Sequence, residues 1–375
     1  MTSTNAIIAH WQESFKEIQC YQDDDVNGVI QRLLLDKQFV ASIKLLFSSV
    51  DEEILGQITQ LSNARSIETV QRWVEKNIFP LVANSYDSLS VVGLTDLDPT
   101  KSYVFVSNHR DIVMDALLLN RVLRAHNFST ANCAIGDNLL THPSANDLAL
   151  LNRCFKVFRS IKSPRAILKA MKTQAAYIQY LRFNKQENIW IAQKEGRAKD
   201  NVDKTNPALI KMLGLAKPKH LSTAEYLSEL TIVPISFSYE WDPCDVDKAR
   251  ELSALEDNAE YTKEKLDDFI ATKKGIEGNK GRIHIHFGQE INALDDDPQV
   301  HKLVATKIDQ SIKNGYLNYP VNYAAYKKIH GTLKEHEGYT KQEINNAHKM
   351  LEKRLENESD DIAKKVYHAY AQTLA

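Results

Sequence analysis

Residues 103–119 have the sequence YVFVSNHRDIVMDALLL, in which a polar turn separates two apolar runs. The first run, residues 103–106, consists of β-branched and aromatic residues and predicts a short buried strand. After the turn the apolar residues recur at helical spacing, which predicts a helix. The turn carries His109, with Asp111 and Asp115 close behind it. Because open α/β sheets place their chemistry at the carboxyl ends of strands, this turn is a candidate functional site.

An imidazole that acts as a general base needs a carboxylate to fix its tautomer and to stabilise the imidazolium. Asp111 and Asp115 are both near enough in sequence to supply it. The alternative is structural, with Asn108 and Asp111 capping the helix and His109 an ordinary surface histidine. The stretch alone leaves both interpretations open.

Composition limits the classes of protein that the chain can be. It has 375 residues, of which 43% are hydrophobic, which is enough for a sizeable core. A formal net charge of −2 argues against a dedicated nucleic-acid binder, and nucleic acid is not expected as a partner. The scattered cysteines have no metal-ligand spacing and predict reduced thiols in a cytoplasmic protein; they are Cys20, Cys133, Cys154 and Cys244.

The start of the chain, residues 1–5, lacks the basic cluster and apolar run of a secretory leader. No window approaches the roughly 18 uninterrupted apolar residues that a spanning helix needs. We therefore expect a cytoplasmic protein, and peripheral contact with the cytoplasmic face of a membrane is left open.

Hydrophobic periodicity divides the chain into three segments. Residues 1–85 have helical patterns, residues 86–295 alternate between strand and helix patterns, and residues 296–375 are helical again. The strand patterns lie at 89–93, 103–106, 132–136, 155–158, 188–192, 231–239 and 281–288. The alternation predicts an α/β fold whose mixed, largely parallel sheet is flanked by helices, with an N-terminal helical segment and a C-terminal helical tail.

The sequence allows more specific predictions for three of the helical stretches. Residues 28–47 predict an amphipathic helix, whose apolar stripe either packs on neighbouring helices or lies in a membrane interface. Its apolar residues are Val29, Leu33, Val40, Ile43 and Phe47, with Arg32, Lys37 and Lys44 between them. Residues 249–280 predict a surface helix that ends at Gly275, and residues 339–375 predict a solvated helix or helical pair.

Four blocks follow one another in a fixed order. They are NH at 108–109, FKVFR at 155–159 with GDN at 136–138 upstream, WIAQKEGR at 190–197, and IVPISFSYE at 232–240. Together they resemble the glycerolipid acyltransferases, the superfamily of glycerol-phosphate and lysophosphatidate acyltransferases. That family is marked by a His-x4-Asp motif, an aromatic block ending in Arg, a Glu-Gly-(Thr)-Arg block and a Val-Pro strand. The resemblance covers roughly residues 85–290.

The first block departs from the family pattern. The family has Asp five positions after His, whereas Asp115 is six positions after His109 and Asp111 only two. Either an additional residue bulges the turn and Asp115 is the partner, or Asp111 has taken the role. We favour Asp115, because Asp111 is also well placed as a helix cap. The third block lacks the Thr often found between Gly196 and Arg197.

The resemblance implies acyl transfer from a thioester to a hydroxyl, with His109 as the general base. It implies that Arg159 and Arg197 bind the phosphate of the acceptor. Glu195 would orient an arginine or the acceptor hydroxyl, and Gly196 would allow close approach of the backbone.

Pro234 belongs to an apolar strand that would lie beside the thioester or acyl chain, although ordinary core packing is the favoured interpretation for that strand. The implied partners are an acyl thioester donor and a glycerolipid acceptor. No cofactor is expected, since acyl-CoA or an acyl-carrier protein would enter as a substrate.

Other patterns have competing interpretations. The sequence from His109 to Asp111 also resembles a protein-kinase catalytic loop, but that loop needs Asn where Ala116 stands, and no Gly-rich phosphate loop is present. His284 and His286 fall on one face of a strand and lack a third metal ligand. A basic group after Arg159 predicts either a contact for an acyl-donor phosphate or carrier protein, or a solvated helix face. Its members are Lys162, Arg165, Lys169 and Lys172.

The sequence therefore predicts an acyltransferase that acts on a glycerol-3-phosphate or lysophosphatidate-type acceptor in phospholipid synthesis. One alternative is a catalytically lapsed member that binds lipid or a carrier protein, and another is a thioester hydrolase. The intact His109, Glu195 and Arg197 argue against the lapsed member.

Overall fold

The computed structural model of the chain describes residues 11, 13–46, 56, 58–256, 267–292, 294–335 and 338–375. Its centre is a seven-stranded sheet with the strand order β1-β7-β6-β2-β5-β3-β4. The strands are β1 Ser88–Val92, β2 Val104–Ser107, β3 Ala131–Gly136, β4 Cys154–Val157, β5 Asn188–Ala192, β6 Ile232–Tyr239 and β7 Arg282–Phe287. Each lies within two residues of a predicted strand, and the predicted fold class is confirmed. The strands lie within the predicted segment 86–295, whose boundaries stay a prediction.

The sheet is mixed but mostly parallel. Strands β6, β2, β5, β3 and β4 run in one direction, while β7 pairs antiparallel with β6 and β1 runs parallel to β7. Strand β2 is at the centre, with Ser107 paired to Ala192 of β5 and to Ile235 of β6. All four of its residues are buried, as expected for a strand covered on both faces. The carboxyl ends of five strands therefore lie along one edge.

Helices cover both faces of the sheet. Before β2 these are α1 Asp23–Leu35, α2 Lys37–Leu46, α3 Ile67–Asn77 and α4 Phe79–Ala83. Between β2 and β7 they are α5 Met114–Ala125, α6 Pro143–Leu151, α7 Pro164–Gln179, α8 Pro207–Leu213, α9 Thr223–Glu229, α10 Asp245–Glu256 and α11 Asp267–Glu277. After β7 they are α12 Val300–Asn314, α13 Pro320–His330, α14 Lys341–Leu355 and α15 Asp360–Ala371.

The alternation of side chains along β2 separates the two main cores. Phe105 packs with the N-terminal helices and α5 on one face, in a cluster that includes Val29 and Leu118. Val104 and Val106 pack on the other face with α7, α8, α9 and α12. A third cluster joins α13, α14 and α15 to Trp241, just beyond the end of β6.

The predicted amphipathic helix at 28–47 is two helices, α1 and α2. Asp36 separates them and accepts a hydrogen bond from the Gln38 N–H at 2.9 Å, so that it caps the second helix. Val29, Leu33 and Ile43 are buried in the main core, which favours packing over a membrane interface for this stripe. Phe47 lies outside the described residues.

Two further predictions are corrected. Helix α11 continues through Gly275 to Glu277, and Gly275 is buried within it instead of ending it. The helices of the segment 339–375 are not simply solvated, because Leu351 and Val366 belong to the third core. In the ranges that the structure describes, no helix combines the length and apolar content needed to cross a bilayer.

Candidate active site

The loops that follow β2, β4 and β5 meet at the carboxyl edge of the sheet. His109 lies two residues beyond the end of β2, and its carbonyl accepts a hydrogen bond from the Ala198 N–H at 2.9 Å. Arg159 lies two residues beyond β4, with its Nε 3.6 Å from Oε1 of Glu195. The first, second and third sequence blocks are thus brought together, although they are distant in the chain.

Asn108 fixes the start of the turn. Its side-chain oxygen accepts from the Phe237 N–H at 2.8 Å, and its Nδ2 donates to the Phe237 carbonyl at 3.0 Å. The side chain is fully buried, so both groups would be costly to leave unpaired. Asn108 therefore ties the turn after β2 to β6 and does not act as a helix cap.

The structure places His109 next to Asp115, with 2.8 Å between Nδ1 and Oδ2. Asp115 is fully buried and also accepts from the Arg110 N–H at 2.7 Å and the Tyr239 hydroxyl at 2.7 Å. An ionised carboxylate can only accept, so the arrangement favours the proton on Nδ1 and the lone pair on Nε2. In the described part of the chain, no group hydrogen-bonds to Nε2. The imidazole is thus oriented with one nitrogen available to a substrate.

Asp111 has a different set of contacts. Its Oδ1 accepts from the Val113 N–H at 3.0 Å and the Met114 N–H at 2.9 Å, so it caps the first turn of α5. Burial raises the pKa of Asp111, and the nearby negative charge of Asp115 raises it further. Relative to the family spacing, one additional residue lies between His109 and Asp115. It is accommodated in the turn that precedes α5, where Asp111 accepts the hydrogen bonds of the first helical turn.

An aromatic side chain forms one wall beside the imidazole. The rings of His109 and Trp190 lie edge to face, with 5.6 Å between their centroids. The Trp190 Nε1–H donates to the Ser107 hydroxyl at 2.9 Å, which fixes the indole against β2. Neighbouring strands thus hold the imidazole and the indole in a defined relative position.

Arg197, in the third block, has a buried guanidinium nitrogen, Nη1, without a hydrogen-bond partner among the described residues. The Cys244 thiol, Asp111 and Asp242 lie within electrostatic range of the guanidinium, but none of them hydrogen-bonds to Nη1. A buried guanidinium N–H without a partner indicates a place for an anionic ligand atom.

The remaining predicted residues have weaker contacts. In the pair of Arg159 and Glu195 the Arg159 side chain is 26% exposed and the Glu195 side chain 71%, and ion pairs at the surface contribute about 0–1 kcal/mol. Gly196 has φ +73°, a left-handed conformation that favours glycine, and a Cβ there would point into open space. Pro234 is buried within β6, opposite Val106, and has the contacts of a core residue.

Several residues that the sequence analysis did not assign to the site are tied to the turn. Arg110 is buried and paired with Asp203, which also accepts from the hydroxyl of Tyr316. Tyr239 donates to Asp115, and its position at the carboxyl end of β6 was the available signal for it. Lys248, which donates to the Arg110 carbonyl, and Asp203 had no signal in the sequence, because no motif or periodicity of their own segments predicts a contact with the turn.

The two histidines of β7 do not form a metal centre with other described residues. No cluster of three His, Cys, Asp or Glu side chains suited to a metal ion occurs among the residues that the structure describes. His284 Nδ1 instead lies 2.7 Å from the hydroxyl of Ser90.

Comparison with known proteins adds to this geometry. Residues 88–238 match the family model described as Acyltransferase, and this range contains all of the predicted site residues. One similar solved structure is the 1-acyl-sn-glycerophosphate (LPA) acyltransferase PlsC from Thermotoga maritima. It has 13% sequence identity, the match covers 77% of this chain and 95% of that chain, and the TM-score is 0.39. No curated protein matches the chain. The match of residues 88–238 to this acyltransferase model agrees with the resemblance predicted from the four blocks.

Proposed function

We propose that the protein transfers a fatty acyl group from an acyl thioester to the hydroxyl of a glycerol-3-phosphate or lysophosphatidate-type acceptor. The observation that carries the proposal is the pair of His109 and Asp115, whose Nδ1–Oδ2 distance of 2.8 Å leaves Nε2 available. A pair of this kind suits proton removal from a hydroxyl at neutral pH.

In the proposed reaction, Nε2 of His109 takes the proton of the acceptor hydroxyl while its oxygen attacks the thioester carbonyl. Asp115 holds the imidazole in orientation and stabilises the imidazolium that forms. The tetrahedral oxyanion then collapses, the carbon–sulfur bond breaks, and the departing thiolate takes the proton from the imidazolium. The products are an ester and a free thiol, and no covalent acyl-enzyme is needed.

Arg197 is the residue that we assign to the acceptor phosphate. Its buried and unpartnered Nη1 supports this role, because a charged hydrogen bond to phosphate would satisfy it. Arg159 would contribute from the rim, where it is only partly buried. The proposal involves no cofactor, and acyl-CoA and acyl-carrier protein both remain candidate donors.

The test is an assay of the purified protein with a labelled acyl thioester and a panel of acceptors. We expect label in a phosphorylated glycerolipid, and we expect His109→Ala to lower kcat by about 10²–10⁴-fold, the range typical of general-base catalysis. Circular dichroism would check that the variant folds.

Other outcomes of this assay would overturn the proposal. Thiol release that does not depend on an added acceptor would identify a thioester hydrolase. Lipid binding without any acyl transfer would identify a lapsed member. An unchanged rate for His109→Ala would remove the imidazole from the mechanism.

A further inference from the structure

One stretch of the chain has a strongly uneven charge. Residues 148–186 contain nine Lys and Arg and no Asp or Glu, whereas the whole chain has a net charge of −2. The stretch includes β4 and all of α7. A single-sign region of this size creates a positive potential over one part of the surface.

The first half of α7 lies at the same edge of the sheet as His109. The helix begins at Pro164, shortly after Arg159 and the carboxyl end of β4, and β4 is the last strand of the sheet. A helix that connects parallel strands runs back along the sheet, so its amino-terminal half is at the carboxyl edge. Arg159 connects this region to the site through its contact with Glu195.

One side of α7 is both basic and apolar. Arg165, Leu168, Lys169 and Lys172 are spaced i, i+3, i+4 and i+7, which places them on one side of the helix. All four are exposed, with Leu168 47% exposed and the neighbouring Ile167 39% exposed. Beyond Lys172 the helix is buried on all sides, from Thr173 to Ile178.

The described residues provide no carboxylate partner for the cations of this surface. None of Lys162, Arg165, Lys169 and Lys172 forms an ion pair with a carboxylate of the described residues. Elsewhere on the surface exposed cations are often paired, as Arg72 is with Glu68. The unpaired charges are therefore free to bind an external anion.

We propose that this surface docks on an anionic lipid bilayer; we name it the α7 surface, and it consists of Lys162, Arg165, Leu168, Lys169 and Lys172. Leu168 would enter the interface, and the cations beside it would bind lipid phosphates. A helix face that combines exposed aliphatic side chains with a basic row is typical of helices that lie in the plane of a membrane. Under the proposed function, docking there would bring the site edge to a lipid acceptor in the bilayer; the docking itself does not depend on that function.

Co-sedimentation with vesicles tests the docking. We expect the wild-type protein to bind phosphatidylcholine vesicles that contain phosphatidylglycerol at low salt. Binding should weaken at high salt, because screening reduces the attraction of exposed charges, and it should be weak on pure phosphatidylcholine. Wild-type protein that stays in the supernatant with anionic vesicles at low salt would overturn the proposal.

Variants locate the binding surface. Each basic residue near an anionic membrane contributes about fivefold to the partition coefficient, so the double variant Lys169→Gln, Lys172→Gln should bind about 25-fold more weakly. The matched control is Lys349→Gln, Lys353→Gln on α14, where both lysines are exposed. Equal losses in the two double variants would show that binding reflects overall charge and not the α7 surface.

The apolar part has its own pair of variants. Leu168→Asp should weaken binding, while Met350→Asp on α14, at a side chain that is 56% exposed, should leave it unchanged. Both side chains are exposed, so each variant is expected to fold, as circular dichroism would check. Equal binding by both variants would exclude insertion of Leu168.

A second assay separates docking from catalysis. The α7 variants should keep the wild-type rate on short-chain substrates in free solution and lose rate only on an acceptor presented in anionic vesicles. Vesicle binding without acyl transfer would leave the docking intact and overturn the proposed function. Loss of rate with an acyl-carrier protein donor, without vesicle binding by the wild type, would assign the surface to that protein and overturn the membrane proposal.

Discussion

The ammonium of Lys248 donates a hydrogen bond to the main-chain carbonyl of Arg110, with 2.7 Å between Nζ and O, directly after His109 in the chain. Lys248 is 3% exposed and also pairs with Asp242. Its helix, α10, packs on α15, where the hydroxyl of Tyr370 donates to Asp245 at 2.9 Å. Buried polar contacts therefore connect the C-terminal helices to the turn that carries the candidate base.

Replacing Lys248 with Met should lower the free energy of unfolding by about 3–5 kcal/mol, because it leaves the Asp242 carboxylate, which is only 17% exposed, without its paired cation. Denaturant unfolding would measure the loss. The double variant with Asp242→Asn should lose less than the sum of the single variants, since the unpaired carboxylate is then gone. Strict additivity would show that the two side chains do not stabilise each other.

The roles of the two carboxylates can be separated by Asn substitutions. Asp115→Asn should lower kcat by about 10²–10⁴-fold, because it removes the charge that orients the imidazole. Asp111→Asn keeps an oxygen for the N–H groups of Val113 and Met114, so kcat should change little. Steady-state kinetics of both variants would decide, and the reverse ranking would transfer the partner role to Asp111.

Most of the sheet could be predicted because its strands are short apolar runs bounded by polar turns. Strand β2 is buried on both faces, so residues 103–106 show a continuous apolar pattern that is easy to recognise. The candidate base was also visible, since it follows such a strand directly, whereas Arg197 was identified through the resemblance of its block to a known family. Local sequence thus indicated which residues lie at the carboxyl edge.

Contacts between distant segments could not be predicted in this way. The turn depends on Lys248, which lies 138 residues beyond Arg110 in the chain, and no periodic pattern reports such a pairing. The same holds for Gly275, whose place opposite Asp111 follows from packing, and for the break at Asp36, which depends on side-chain capping. The periodicity of a helix reports which of its own residues face the core, and it does not indicate which distant residues pack against them.

Arg197→Lys should raise the KM for a phosphorylated acceptor by about 10- to 150-fold, which corresponds to the loss of one charged hydrogen bond of about 1.5–3 kcal/mol. A lysine keeps the charge but not the planar fork. The KM for the acyl donor should change less. Arg72→Lys, at an exposed arginine of α3, is the control. Equal weakening with a phosphate-free acceptor would show that Arg197 does not bind phosphate.

We expect the buried Lys280 to make the free energy of unfolding depend on pH. It is fully buried, hydrogen-bonded to the Ser85 hydroxyl and the Gly278 carbonyl, and burial lowers its pKa from 10.5 to about 8. Below about pH 8 Lys280 is charged in both states, and the folded protein is destabilised by the full cost of burying that charge. Above pH 10.5 Lys280 is neutral in both states, and the cost is absent.

The stability of the wild type should therefore rise by up to about 3 kcal/mol relative to Lys280→Met across that interval. Urea unfolding of both proteins at several pH values measures it, with Lys349→Met on α14 as the exposed control. Parallel stability curves for the wild type and Lys280→Met would show that Lys280 does not titrate in this range.

Gly275 allows α11 to approach the turn closely, since a Cβ there would lie 2.2 Å from Oδ2 of Asp111. Gly275→Ala should therefore lower the free energy of unfolding by about 1–3 kcal/mol, because the buried carboxyl and the helix must separate. Gly28 is the matched control, exposed within α1 with nothing within 4 Å of the added Cβ. Gly28→Ala should stabilise by about 0.5–1 kcal/mol through helix propensity. Denaturant unfolding of both variants measures the difference, and a stabilised Gly275→Ala would contradict the close packing of α11 against Asp111.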